Sequence, residues 1–376
     1  MVLNDTNGSD VTGTEIIQAA PSVVVGVDAH KRTHTLVAVN QLGQKLGALT
    51  VEATDAGHLK ALRWAQTTYG PDPALWAIED VRMVSGRLER FLIDAGLIVV
   101  RVPTQIMAKT RASARSRGKS DPIDAEAVAH AALRYPSLPR ACHEPVSYEL
   151  KLLIDHRATW IKQRTAAINR LRWRVHQLDP EYDCGPNLKA DIHRERLRDW
   201  LIETQSGVLA EIAVSDVDEL SRLNQLIRPL ERDIEIRIAE VAPNLLAVQG
   251  CGSFGAARIV AETANVTRFR TEAQFAMHVG VAPLPFWSSN NPQVHGARYG
   301  NRQLNAAIHV IAMSQLRGGG VGRPYYDKHV EAGDSTRGAL RRLKRRIARV
   351  VFNAMRKDYA LRAAAETDTA LGVDVR

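Results

Sequence analysis

A chain of 376 residues, 45% hydrophobic and 24% charged, is long enough for two or three domains with their own cores and too ordinary in composition for a disordered or fibrous protein. Its three cysteines, Cys142, Cys184 and Cys251, are odd in number, far apart and without CxxC or Cys/His spacing, which supports neither a disulfide framework nor a structural zinc site. Fifty Lys+Arg against 41 Asp+Glu leave a formal charge of +9 and a pI near 9.6, a balance that suits a polyanionic partner without identifying one. No apolar run approaches the roughly eighteen residues a membrane span requires, and the polar start lacks the charged-then-apolar order of a signal peptide. The expectation is a soluble, cytoplasmic protein with no membrane contact.

Taken in chain order, residues 1–21 read as a flexible leader. Val23–Val27 is β-branched and reads as a buried strand; Thr33–Val39 and Lys45–Val51 follow as strands joined by the polar turn Asn40–Gln44. Gly57–Tyr69 reads as an amphipathic helix, Leu75–Ile78 as a strand, Ser85–Ala95 as a helix, and Leu97–Val102 as a strand stopped by Pro103. Three strands in hairpin style and then alternating helix and strand predict a mixed α/β domain over 22–146. From Ser147 the apolar spacing turns helical: Leu150–Leu178 and Arg194–Ile238 read as long helices interrupted around Pro180–Pro186. This helical arm, 147–241, suits either oligomerisation or a plain bundle. Residues 242–364 read as a mainly α domain of short helices punctuated by glycine. It closes on a basic helix whose apolar stripe is Leu340, Leu343, Ile347, Val350 and Val351, and 365–376 read as a frayed tail.

Four acidic residues occupy informative places in this pattern. Asp28 ends the first strand and Glu79, followed by Asp80, ends the Leu75–Ile78 run. A carboxylate at the end of a buried strand is costly unless paired or bound to a cation, and open α/β sheets place their ligand sites there. Asp121 and Asp124 open a helix in Lys119-Ser120-Asp121-Pro122-Ile123-Asp124, and their spacing puts them on one helix face. That pair also suits helix capping, with Asp121 as N-cap, Pro122 at the first helical position and Asp124 favouring the dipole; capping and metal binding are compatible. Four oxygen donors without histidine or cysteine suit a hard ion such as Mg²⁺, or Mn²⁺, and paired metals can activate a nucleophile and stabilise a leaving oxygen in phosphoryl transfer.

The strings Gly26-Val27-Asp28-Ala29-His30-Lys31, Ile78-Glu79-Asp80 and Lys119-Ser120-Asp121-Pro122-Ile123-Asp124-Ala125 resemble the DEDD-type insertion-sequence transposases, a family that includes the Piv-type DNA invertases. The resemblance implies an N-terminal RuvC-like domain of the RNase H-like superfamily, with Asp28, Glu79, Asp121 and Asp124 as its metal-binding tetrad. It extends to the C-terminal part. Gln249-Gly250-Cys251-Gly252-Ser253 looks like a helix-hairpin-helix turn, whose Gly250 and Gly252 would offer backbone N–H groups to a phosphate; the plain reading is a helix–helix turn. In Gly280-Val281-Ala282-Pro283-Leu284-Pro285-Phe286-Trp287-Ser288-Ser289, the resemblance implies Ser288, with Ser289 as rival, as the nucleophile that attacks DNA covalently. Two serines in a loop are otherwise solvated turn residues. The family commonly has Ser-Ser-Gly or Ser-Gly where this chain has Ser288-Ser289-Asn290-Asn291. Arg298 and Arg302 would neutralise a scissile phosphate.

Two basic clusters complete the reading: Arg101, Lys109, Arg111, Arg115, Arg117 and Lys119 ahead of the Asp121 helix, and Arg341, Arg342, Lys344 and Arg345 on the C-terminal helix. Alone, each suits a solvated face; beside a phosphate-cutting site, each suits nucleic-acid backbone. Aromatic residues at 5% are too sparse for a dedicated single-strand stacking platform. The resemblance implies as partners double-stranded DNA of the element junction and target, a structured non-coding bridge RNA that takes over sequence readout, and a homo-oligomer from dimer to tetramer, in which one subunit's acids meet another's serine. The reaction expected is transposition by DNA strand cleavage and rejoining through a phosphoserine. The rivals are a Holliday-junction-type resolvase or nuclease without covalent intermediate and a non-catalytic nucleic-acid-binding relic.

Overall fold

The computed structural model describes residues 22–70, 74–104, 106–107, 120–135, 138, 140–288, 291–296 and 300–372, and the chain divides into two compact units, 1–143 and 144–376. The leader 1–21 lies outside the described residues, as do Lys109, Arg111, Arg115, Arg117, Lys119, Ser289 and Arg298.

The first unit is built on one mixed sheet. Val23–Ala29 (β1), Thr33–Asn40 (β2), Lys45–Glu52 (β3), Leu75–Glu79 (β4) and Val99–Val102 (β5) lie in the order β3-β2-β1-β4-β5. The β1–β2 and β2–β3 pairs are antiparallel, and the β1–β4 and β4–β5 pairs are parallel. Both faces of the central strand are covered, which is why β1 is a near-continuous valine run. Val23, Val25 and Val27 join Trp76 and Ile78 in a core with helices Asp55–Tyr69 (α1) and Arg82–Asp94 (α2). Val24 joins Val37, Ala77, Val100 and Val102 in a second core under Asp121–Arg134 (α3).

The second unit begins with a long helix, Pro145–Leu178 (α4), followed by Asp191–Thr204 (α5) and a second long helix, Val208–Val241 (α6). Pairings of Arg157 with Glu231, Arg164 with Asn224 and Arg170 with Asp216 show α4 and α6 running antiparallel. Their distal halves enclose a core of their own with α5, through Leu171, Leu197, Leu201 and Leu220. Their proximal ends, Leu150, Ile154, Ile234 and Ile238, join the core of the C-terminal segment. That segment comprises Pro243–Leu246 (α7), Ser253–Thr263 (α8), Glu272–Val279 (α9), Arg302–Leu316 (α10), Arg323–Glu331 (α11) and Thr336–Gly372 (α12). A two-stranded hairpin of Pro283–Ser288 (β6) and Asn291–Gly296 (β7) lies between α9 and α10. No described helix is long and apolar enough to cross a membrane.

Several expectations change. The helix expected over Arg194–Ile238 is two helices, because the chain turns at Gly207 with φ +88°, a conformation that favours glycine. The serine-bearing segment, expected as a loop, pairs as a β-hairpin, with Ser288 opposite Asn291 at its outer end. Helix α12 continues to Gly372, past the expected start of the tail. Its buried stripe runs through Ala339, Leu343, Ile347, Ala348, Val351 and Met355, and Val350 is exposed. Arg101, read as part of a phosphate-binding cluster, is buried and gives two hydrogen bonds to Glu89, 2.7 and 2.5 Å; a guanidinium so occupied holds the sheet unit together.

Candidate active site

Strands β1 and β4 run parallel, and their last paired rung joins Val27 to Ile78. Asp28 and Glu79 are therefore the next residues at the same end of two neighbouring strands. Side chains alternate along a strand, so Asp28 shares a face with Val24, and Glu79 with Ala77, the face that α3 covers. Asp80, the other carboxylate at this strand end, is exposed, and its backbone N–H donates to the Val102 carbonyl.

Gly26 sets how close α3 comes. A Cβ at that position would lie 2.1 Å from the Ala125 carbonyl oxygen and 2.5 Å from the Ala129 nitrogen, so helix and strand meet backbone to backbone. The inner face of α3 matches this with Ala125, Ala129 and Ala132, all buried. A hydrogen bond of 2.8 Å between His130 Nε2 and the Gly43 carbonyl ties the same helix to the β2–β3 turn. Packing this tight delivers the first turn of α3 to the end of β1. That turn starts one residue earlier than expected. Ser120 is the N-cap, with extended backbone, and Asp121 and Pro122 are the first two helical residues. Asp121 is therefore not the cap, and its side chain is not committed to that role.

The acidic residues come together unevenly. His30 Nε2 is 3.0 Å from Asp28 Oδ2 and 3.6 Å from Asp121 Oδ1. Asp28, His30 and Asp121 each offer one potential ligand atom within 4.8 Å of the others. Asp28 is buried while the other two are exposed, so the cluster has a floor in the protein and an open side. Asp124 is buried on the inner side of α3, and Glu79 is partly buried at the end of β4; both stand outside the group of three. Burial pushes the Asp28 carboxyl up from its ordinary range; His30 pulls it back, and the Asp124 and Asp121 charges push it further up. A buried carboxylate beside two more carboxylates and one imidazole is short of positive charge, which a divalent cation supplies. The donor set thus fits a divalent ion.

His30 is the site residue that reading the sequence missed. The signal was present: Asp28 and His30 are two apart at a strand end, so alternation puts them on one side. The other expected residues are dispersed. Gly250, with φ +85°, packs against Ser314, which a Cβ would approach to 2.9 Å, whereas Gly252 has open space and begins α8 as its N-cap. The first glycine is thus required by packing, independent of any phosphate. Arg302 is exposed at the start of α10, and Arg341, Arg342, Lys344 and Arg345 lie in the first turns of α12.

Residues 25–180 match a family model described as a DEDD transposase of IS110, and residues 242–327 match a second, described as a transposase of the IS116/IS110/IS902 family. An IS116 insertion-element protein of Streptomyces clavuligerus is 26% identical over 90% of this chain and 95% of its own length. An IS110 protein of Streptomyces coelicolor is 25% identical over 70% and 77%, and an IS900 protein of Mycobacterium paratuberculosis 23% over 93% and 100%. Among solved structures, Thermus thermophilus RuvC bound to a Holliday junction aligns with 32% of this chain and 99% of its own, at 14% identity and a TM-score of 0.25.

Proposed function

We propose that this chain, which matches IS110 and IS116/IS110/IS902 transposase family models over residues 25–180 and 242–327, is a transposase of that kind and exchanges DNA strands between an insertion element and its target, using an acidic metal site and a serine nucleophile. The observation that carries this reading is the meeting of Asp28, His30 and Asp121 at an open strand end, with Asp124 beneath and Glu79 on the adjacent strand. Asp28, Glu79, Asp121 and Asp124 would hold Mg²⁺ or Mn²⁺, and His30 would join or orient that set. Bound there, a divalent ion supplies Lewis-acid stabilisation of charge on a phosphodiester.

The chain's own groups supply the rest. The hydroxyl of Ser288, or of its neighbour Ser289, attacks the phosphorus and displaces a deoxyribose oxygen. The resulting phosphoserine keeps an ester bond that a second strand end reclaims. Arg298 and Arg302 neutralise the phosphate during both steps. Backbone contacts fall to Arg115, Arg117 and Lys119 ahead of α3, to the Gly250–Gly252 turn and to the basic start of α12. Sequence choice is delegated to a structured non-coding RNA by base pairing. Cutting several strands calls for a dimer or tetramer in which the acidic site of one subunit serves the serine of another.

Incubating the protein with junction DNA, target DNA, the element's non-coding RNA and Mg²⁺, then denaturing, tests the reading. The expected products are recombinant DNA and a DNA–protein adduct that Ser288→Ala abolishes. Cleavage without any adduct would replace strand exchange by hydrolysis of the resolvase type. Nucleic-acid binding with no cleavage under any metal, and indifferent to Asp28→Ala, would make the chain a non-catalytic binder.

A further inference from the structure

A cleft of about 500 Å³ opens in the C-terminal segment between the run 280–283 that leads into β6, Tyr325 on α11 and the first turns of α12. Its cations are not equivalent. Arg342 is answered by Asp334 at 2.6 Å and Arg345 by Glu272 at 3.0 Å. Lys344 is different: the structure gives it one hydrogen bond, from its ammonium to the neutral Asn305 Oδ1 at 2.5 Å, and among the described residues no carboxylate pairs with it. It is also half buried, and burial alone pulls its ammonium below the ordinary lysine range. A charge removed from water without a counter-ion is a standing cost to the fold.

Its one partner is itself fixed. Asn305 Nδ2 donates to the Val279 and Gly280 carbonyls, both at 3.1 Å. Its oxygen is therefore turned to Lys344, which is held at the rim of the cleft where the chain enters β6. A cation oriented by a part-buried amide, without a carboxylate partner among the described residues and facing an open cleft beside further arginines, is arranged for an anion that arrives from outside.

We propose that this cleft takes one phosphodiester of the DNA, with Lys344 as the residue that anchors it. The assignment to DNA rests on the reading of this chain as a strand-exchanging enzyme, because the strand that leaves the cleft's rim at Pro283 ends at Ser288. The half-buried charge then has its counter-ion only in the complex, and Arg341 and Arg342, both exposed, flank the same backbone.

The test is a salt titration of binding, followed by fluorescence anisotropy, with random-sequence duplex DNA and duplex RNA of the same sequence, in chelator so that no cleavage enters. Lys344→Met should weaken DNA binding about fivefold near physiological salt and reduce the salt slope by about one. Its melting temperature should stay the same or rise, because an unpaired half-buried charge is replaced by an apolar chain of similar length. Lys344→Arg should retain the slope. An unchanged slope in folded Lys344→Met protein overturns the proposal, as does a loss confined to the RNA. A marked fall in melting temperature for Lys344→Met overturns it too, since the lysine would then be a structural donor to Asn305. Because the readout is binding without chemistry, a failure of strand exchange leaves this result standing, and a failure here leaves the acidic and serine chemistry untouched.

Discussion

The two regions assigned to chemistry are built in opposite ways. Asp28, Glu79, Asp121 and Asp124 come from three elements that share one core, and contact at Gly26 locks α3 to β1. Ser288 ends one strand of a hairpin whose strands, among the described residues, pair only with each other. A two-stranded hairpin has little stability of its own, so its position is set at its base. There, a Cβ on Gly300 would lie 2.6 Å from Gly280, Asn301 N–H donates to the His278 carbonyl at 2.7 Å, and Asn301 caps α10 while donating to Glu262. Burial pushes Glu262 up, but hydrogen bonds from Lys151 and Asn301 bring it below the ordinary carboxylate range, so it remains an anionic anchor for that base. Buried packing fixes the acids; a polar network at one end fixes the strand that carries the serine.

If the contrast is right, the largest effect comes from Gly26→Val. It forces α3 off β1 and should cost about 3 kcal/mol or more of stability, abolishing metal-dependent cleavage; thermal melting and a cleavage assay read both. Ser288→Ala should leave melting and metal binding unchanged while eliminating the covalent DNA adduct, and an adduct that persists would move the nucleophile to Ser289. Asp28→Asn should lower strand cleavage by about 10²–10³-fold and yet stabilise the metal-free protein near neutral pH. The sign follows from the raised carboxyl. From its unfolded value up to its folded one the native state holds the extra proton, so wild-type stability falls as pH rises through that window. Asn removes the loss, and chelator-treated melts across that range would show a flatter profile. Asn301→Ala should have the smallest effect: loss of the cap costs about 1 kcal/mol, with strand exchange reduced and cation binding at the acidic site, measured by calorimetry, unaffected. Reduced cation binding in that variant would break the distinction between the two regions.

What could be read from the chain depended on whether the deciding contact was local. The near-continuous valine run of β1, the turn at Asn40–Gln44 and the strand ends at Asp28 and Glu79 are local patterns, and the element order follows from them. The partners of Arg101 and Lys344 are not local: Glu89 lies in another element, and Asn305 is 39 positions away. A charge run in sequence therefore could not separate a buried tie from a cation facing a cleft.

By itself the sequence determined the mixed sheet, the helical character of the middle and the place of the carboxylates at strand ends and a helix start, because apolar strand runs, helical spacing and turn residues are written in neighbouring residues. Only the tertiary structure decided that Gly26 is the floor on which α3 rests, that His30 joins Asp28 and Asp121, and that the serine segment is a hairpin. Each of these depends on the distance between residues far apart in the chain, which close packing sets and local propensity does not.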